Sequence, residues 1–518
     1  MRRSGIVTAS ALLLGGCTVG PNFSPPHWAN PVSWFTGEPK PAHLEPSEPV
    51  AAPINVAWWN VFHDPHLSAL EQQVAASNFD VQTATARLAQ SRAQLGITRA
   101  AEFPNVGGNA SYTREKSSSV GVFSSLAPNS STGNVTNTPS GQLANGAFGN
   151  TAGGVATPAN LPAFDVYQYG FDASWELDLW GQVRRSVESA SASVNASADA
   201  RRAALISALA EVARDYMDLR GTQDQLRIAR ENVDTAQQGL RLTQERAAAG
   251  VTTDLDVANA SAQVRTTAAQ IPALEQQEHQ LINALSFLLA RPPNALTAEL
   301  AVPRPVPPVP PRVPVGFPSE LARRRPDVRQ AEEQLHAATA NIGVAVSAFY
   351  PQVTLNGSFG FQALQFGNLW TGAARQYALG PGVTIPIFEG GQIRQTVLLR
   401  RAQQQEAAIA YQRTVLQAWH DVDNALDAYQ REQERRGQLV QAVAQNQRAL
   451  SLAQSRYQEG VANFLDVLTA ETNLLSTQQQ LANSTTTVSD DLVALYKALG
   501  GGWEDTYPTV QASVSGGT

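Results

Sequence analysis

An internal duplication constrains this chain more than any other feature. Asp80-Val81, Leu88, Gly96, Phe103-Pro104 and Val106 recur as Asp327-Val328, Leu335, Gly343, Tyr350-Pro351 and Val353, a constant 247 positions on (327 − 80 = 247). Gly181-Gln182-Val183-Arg184 recurs as Gly391-Gln392-Ile393-Arg394, 210 positions on (391 − 181 = 210). At that same offset Leu240, Arg246, Gly250-Val251 and Leu255-Asp256-Val257 recur as Leu450, Arg456, Gly460-Val461 and Leu465-Asp466-Val467. A period this long means a whole unit built twice, not a solenoid of short repeats. The offsets differ by 37 (247 − 210 = 37), so the first copy carries an insertion between Val106 and Gly181. The Ser/Gly/Asn/Thr-rich stretch from about Lys116 to Asn160 supplies it and reads as a flexible loop. Between the copies, Pro303 to Pro318 holds eight prolines in sixteen residues, which favours a stiff extended linker and excludes a helix or a central strand.

Each copy reads helix, strand, strand, helix, turn, helix. Leu205, Val212, Leu219, Leu226, Val233 and Leu240 repeat every seven residues, with Leu209 and Tyr216 filling the seam. A sustained seven-residue seam predicts a left-handed coiled coil. The later seam positions Gln223, Arg230, Gln237 and Gln244 are polar, so the seam is not apolar throughout. The predicted helix from Gln182 to Arg246 spans 65 residues, roughly 100 Å at the usual rise. Single helices of about half that length are expected near 66–102 and 253–290.

The strands obey a period of two. Tyr167, Tyr169, Phe171, Ala173, Trp175, Leu177 and Leu179 alternate with Gln168, Gly170, Asp172, Ser174, Glu176 and Asp178. Val353, Leu355, Gly357, Phe359 and Phe361 alternate with Gln352, Thr354, Asn356, Ser358 and Gly360. Val106 to Tyr112 and Tyr377 to Ile387 show weaker versions. A half-buried soluble sheet has the same period. Alternation over about ten residues with aromatics near the ends is also the mark of a membrane β-barrel. Four strands cannot close a barrel, whose known members start at about eight, and unpaired backbone groups in lipid are prohibitive. Several chains must then build one barrel together, and sequence physics alone leaves two, three or four copies open.

The N-terminus favours the membrane reading. Arg2 and Arg3 precede an apolar run from Ile6 to Leu14, which ends at Leu14-Gly15-Gly16-Cys17. That is the pattern of a secretory signal peptide over 1–16. Cys17 stands where a bacterial lipobox places its acylated residue, and Thr18 after it fits a chain sent to the outer membrane. The domain boundaries that follow are a lipidated segment over 17–64, a first repeat over 65–290 with strands at 104–115 and 164–179, and a linker over 291–318. A second repeat covers 319–499 with strands at 351–362 and 376–388, and a tail covers 500–518.

Composition excludes several function classes. A formal charge of −7 with no basic block argues against nucleic acid as a partner. One cysteine excludes an intrachain disulfide and a thiolate metal cage. No nucleotide-binding, zinc-protease or nucleophile-elbow motif is present. His63-Asp64-Pro65-His66 reads as a helix start rather than a metal pair. The expectation is a chain that is no enzyme and carries no cofactor or metal, only a covalent lipid on Cys17.

Cys17-Thr-Val-Gly-Pro-Asn-Phe23, Trp58-Trp59 to Asp64-Pro65, Arg324-Arg325-Pro326-Asp327-Val328 with Ala331-Glu332, Ile342-Gly343 and Pro386-Ile387-Phe388-Glu389-Gly390-Gly391 complete the reading. Together these motifs resemble the outer-membrane factors of tripartite efflux pumps, the TolC/OprM/NodT type, from Cys17 to about Gly500. The resemblance implies a mainly α-helical homotrimer with a shared twelve-stranded barrel in outer-membrane lipid and a long α-helical barrel across the periplasm. The linker and terminal segments would form a belt around the helices. It implies a periplasmic adaptor and an inner-membrane transporter of the RND type as partners, and passive conduction of small molecules. A duct for type I protein secretion is the alternative within the channel class. A lipid-anchored coiled-coil scaffold without a pore is the alternative from another class.

The resemblance also implies site residues. Gly250-Val251 and Gly460-Val461 would be the turns that meet the adaptor. Asp466, three times around one axis, would form an anionic ring at the periplasmic mouth. A hydrogen bond between Tyr457 and Asp256 would latch it closed. The chain departs from the family at Thr469, where some members have a second aspartate, and at Ala462, where some have a latch arginine. Asp256 and Asp466 each also fit a plain helix-capping role.

Overall fold

The computed structural model describes residues 18–26, 47–50, 52–53, 55–116, 163–316, 324–504 and 506–507. The expected signal peptide, Cys17 and most of the 37-residue excess lie outside the described residues. In chain order the principal elements are β1 (Glu48–Val50), α1 (Pro65–Ser77), α2 (Phe79–Ala100), β2 (Asn105–Glu115), β3 (Phe164–Leu177), α3 (Gln182–Ala248), α4 (Asp254–Ala268) and α5 (Gln270–Leu288). There follow β4 (Arg312–Pro314), α6 (Pro326–Ser347), β5 (Gln352–Ala363), β6 (Arg375–Thr384), α7 (Gln392–Gln458) and α8 (Phe464–Leu499). Element boundaries recur at the two sequence offsets. α2 and α6 both have 22 residues and start 247 apart (326 − 79 = 247), while α3 and α7 both have 67 and start 210 apart (392 − 182 = 210). The chain divides into a sheet unit and a helical unit.

The sheet unit is one antiparallel sheet in the order β2-β3-β5-β6. Its register aligns like with like. Val106, Ala173, Gly357 and Leu379 form one row, and Gly108, Phe171, Phe359 and Tyr377 another row on the same face. Gly107, Asp172, Ser358 and Ala378 form a row on the opposite, polar face. The apolar face is bare within this chain: Tyr377 is 76% and Leu379 78% exposed. Gly170 and Gly360 oppose each other, and a Cβ on either would come within 2.8 Å of the other strand's backbone. Only glycine permits so close an approach.

Two strands end earlier than the alternation suggests. β6 stops at Thr384 rather than 388, because Pro386 has no N–H to extend the ladder. Pro381 lies in β6 opposite Leu355 of β5, and β6 is the last strand of the sheet within this chain. β3 stops at Leu177 rather than 179, since the Asp178 carboxylate turns to accept from Arg184 N (2.9 Å) and Nε (3.1 Å).

In the helical unit the seam residues Leu205, Leu209, Val212, Tyr216 and Leu219 are fully buried, packed in one cluster with Trp58, Phe62, Leu492 and Tyr496. Trp58 stacks on Tyr496 at 5.4 Å. Burying each such aliphatic side chain contributes about 1.5–3 kcal/mol. Beyond Leu219 the seam is mixed, with Leu226 and Val233 buried between polar positions. Gln223 donates to Leu300 O and Glu278 Oε1 (both 2.8 Å), Gln225 to Asn483 (2.8 Å), and Asn232 to Gln478 (2.9 Å). A second, smaller cluster follows, made of Ala260, Leu450, Tyr457, Phe464, Val467 and Leu474.

The expected single helices at 66–102 and 253–290 are each two helices. Asn78 breaks the first: its side chain caps α2 by accepting from Asp80 N (2.9 Å) and donates to Leu288 O (3.0 Å). Pro272 breaks the second, because its ring excludes the carbonyl four residues earlier, at Ala268, where α4 ends. Asp64 caps α1, accepting from His66 N (2.8 Å), Leu67 N (3.1 Å) and the Tyr216 hydroxyl (2.7 Å). The Pro-rich linker contributes β4, which pairs in parallel with β1, and it buries Val313 and Val315. Tyr429 of α7 donates to Ser47 beside β1 (2.8 Å). Within the Arg324–Val328 motif, Arg325 bonds Asp327 (2.6 Å), Asp421 of α7 (3.0 Å) and Ala498 O of α8 (3.1 Å), tying α6 to both.

Candidate functional site: the paired helical turns

The turn from α3 to α4 and the turn from α7 to α8 have one backbone geometry. Gly250 and Gly460 take φ of +75° and +79°, a left-handed conformation that favours glycine. Val251 N donates to Arg246 O and Val461 N to Arg456 O, each at 3.0 Å, so both helices end in a Schellman-type cap. Val251 and Val461 then project outward, 61% and 62% exposed.

The returning helices start differently. Thr253 caps α4 and forms a capping box with Asp256. The Asp256 carboxylate accepts from Thr252 Oγ1 (2.6 Å), Thr253 Oγ1 (2.9 Å) and Thr253 N (3.2 Å). The Thr252 hydrogen bond is the largest cause that holds the Asp256 pKa below the ordinary carboxylate range. At the matching place Asn463 caps α8 by accepting from Asp466 N (3.0 Å). Asp466 is exposed, and its carboxylate has no hydrogen-bond partner among the described residues.

The expected Tyr457–Asp256 hydrogen bond is not made within this chain: Asp256 Oδ2 serves its own cap, and the Tyr457 hydroxyl does not reach the carboxylate. Tyr457 is buried, edge-on to Phe464 at 5.6 Å, and its hydroxyl has no partner among the described residues. What joins the two turns is Arg246, a residue visible in the sequence only as half of the repeated pair Arg246/Arg456. Its Nη1 donates to Tyr457 O (2.8 Å) and Gln458 O (3.1 Å), and its guanidinium lies 4.6 Å from the centre of the Tyr457 ring. The first copy's arginine thus neutralises the carbonyl end of the second copy's helix. A basic residue in a last turn was the available signal, but its partner lies 211 residues away.

Comparisons with known proteins fit this architecture. The family described as outer membrane efflux protein matches residues 70–291 and 317–501. The pyoverdine export outer membrane protein OpmQ of Pseudomonas aeruginosa is 31% identical over 506 residues, 97% of this chain and 98% of that protein. The toluene efflux pump outer membrane protein TtgC of Pseudomonas putida is 30% identical over 501 residues, 96% of this chain and 95% of that protein. The solved outer-membrane channel OprN superposes with a TM-score of 0.81 at 31% identity, covering 94% of this chain and 100% of that one.

Proposed function

The chain belongs to the outer membrane efflux protein family, and from that premise we propose that it is a trimeric exit channel. Three copies of the four-stranded sheet close one twelve-stranded barrel in the outer membrane. The helices continue the conduit into the periplasm. Small molecules pass down their gradient after delivery by an inner-membrane transporter of the RND class through a periplasmic adaptor. Cys17 carries the lipid that adds a second hold on the membrane. The turns at Gly250-Val251 and Gly460-Val461 receive the adaptor, and Asp466 forms the anionic ring at the mouth. The ring selects for cations, since like charges crowded in a narrow opening repel one another and attract counter-ions.

The observation that carries this reading is the sheet. One face is apolar, the other polar, and both edges, β2 and β6, are unpaired among the described residues of one chain. Open edges do not persist in lipid, so closure by further copies follows. The names of the relatives, pyoverdine export and toluene efflux, favour small-molecule cargo over a secreted protein. A pore-free scaffold would have no use for the one-sided sheet. The test is ion conductance of the purified protein in planar bilayers, together with heat-modifiable migration on gels. Discrete channels from an oligomer that dissociates on boiling are expected. A monomer without conductance would overturn the reading.

A further inference from the structure

Glu471 stands out because its surroundings suit no charge. It lies on α8 between Val467 and Leu474, both buried in the small cluster beside the turns. Its own side chain is buried, and Oε1 has no partner among the described residues. Across the interface α3 presents Gly239, where an added Cβ would stand 3.4 Å from Oε1. From α7, Gln454 hydrogen-bonds the carboxyl. The first copy has Ser261 at the matching place (471 − 210 = 261). Phe464, Val467, Glu471 and Leu474 follow the three-four spacing of a helix seam, so the carboxyl occupies a position where the pattern asks for an apolar residue.

We propose that Glu471 is a proton-operated wedge: neutral, it lets α8 pack against α3 beside the turns, and ionised, it drives the two helices apart. Burial is the main influence on the group and raises its pKa to about 7 from the ordinary 4.5, while Gln454 pulls slightly the other way. The ionisable groups along the stretches packed here are Asp234, Arg241, Glu245 and Arg246 on α3, Arg448, Arg456 and Tyr457 on α7, Asp254, Asp256 and Arg265 on α4, and Asp466 on α8 itself. None of them forms an ion pair with Glu471 among the described residues, so the charge, when it forms, meets only the Gln454 hydrogen bond and no counter-ion.

The sign follows from linkage. The packed state holds the proton more tightly, so packing is fully favoured below pH 4.5 and loses ground as pH rises to about 7. Over that window the separated form gains up to about tenfold per pH unit, then levels off. Parted helices beside the turns widen the mouth of the conduit, a consequence that rests on the channel reading above. The helix separation itself does not.

Spin labels on Gln238→Cys and Thr472→Cys, both at exposed positions on α3 and α8, test the wedge in the full-length protein. Labelled chains are diluted into unlabelled protein, and a control without the two substitutions subtracts any label at Cys17. A short distance at pH 5 should give way to a longer one at pH 8, while Glu471→Gln and Glu471→Leu stay short at both. A distance that ignores pH in the wild type, or shifts equally in both variants, overturns the proposal. Conductance over the same range should rise with pH only in the wild type. A wild-type distance shift without conductance at any pH would uphold the wedge and remove the channel reading instead.

Discussion

The two hairpins of this chain, α3–α4 and α7–α8, are copies that differ in their returning helices. The outgoing helices, 67 residues each, and the glycine turns agree, yet differences at matched positions set the returning helices apart. Thr253 faces Asn463, Pro272 faces Ala482, and Ser261 faces Glu471, each pair 210 apart (463 − 253 = 210). Pro272 splits the first returning helix in two, whereas α8 runs unbroken for 36 residues through Ala482. The threonine cap consumes Asp256, whereas the asparagine cap leaves Asp466 available. The long helices and glycine turns are shared, and single side chains make the two returning helices differ in capping, continuity and burial of charge.

The largest effect should come from exchanging the helix breaker. Ala482→Pro places a ring in a buried helix interior and should cost about 3 kcal/mol or more, read as a fall in the unfolding temperature and loss of the oligomer. Pro272→Ala should leave both intact. An equal loss in the two variants would mean that the break in the first copy is as necessary as the continuity in the second.

The next contrast concerns the caps. Thr253→Ala should destabilise by about 0.5–2 kcal/mol and should reduce, without abolishing, the acid sensitivity that Asp256 confers, since the larger Thr252 hydrogen bond remains. The Asp256 pKa is lowered in the folded protein, so its stabilisation is present above the ordinary range and lost as pH falls through the folded value. Thermal melts at neutral pH and near pH 3 should therefore differ less in Thr253→Ala than in the wild type.

The aspartates sharpen the comparison at the level of function. Asp466→Asn should lower cation selectivity in single-channel reversal potentials with little change in stability. Asp256→Asn should do the converse. Selectivity that falls equally in both would place both carboxylates at the mouth. The smallest effect is expected at Tyr457→Phe, because the hydroxyl removed has no partner among the described residues. Basal conductance should match the wild type, while Arg246→Ala, which strips the bridge between the turns, should raise it.

Much of this was legible in the sequence because it is periodic. Seven-residue spacing put Leu205, Val212 and Leu219 in the core, and two-residue alternation put Phe171, Phe359 and Tyr377 on one face of the sheet. The split helices were less legible, since Asn78 and Pro272 are single residues inside longer apolar patterns. Arg246 and Glu471 were not legible as functional residues, because each acts on something from the other copy.

The sequence by itself determined the repeated order of elements, the strand faces, the polar stretch of the seam and the left-handed glycine turns. These are set by local sterics and by periodicity, which a chain carries wherever it goes. Only the tertiary structure decided which side chains meet across the copies: Arg246 on Tyr457 O, Gly239 against Glu471, Asp256 bound to its own cap rather than to Tyr457. Those pairings depend on helix register, and register is chosen by the sum of many packed contacts rather than by any residue alone.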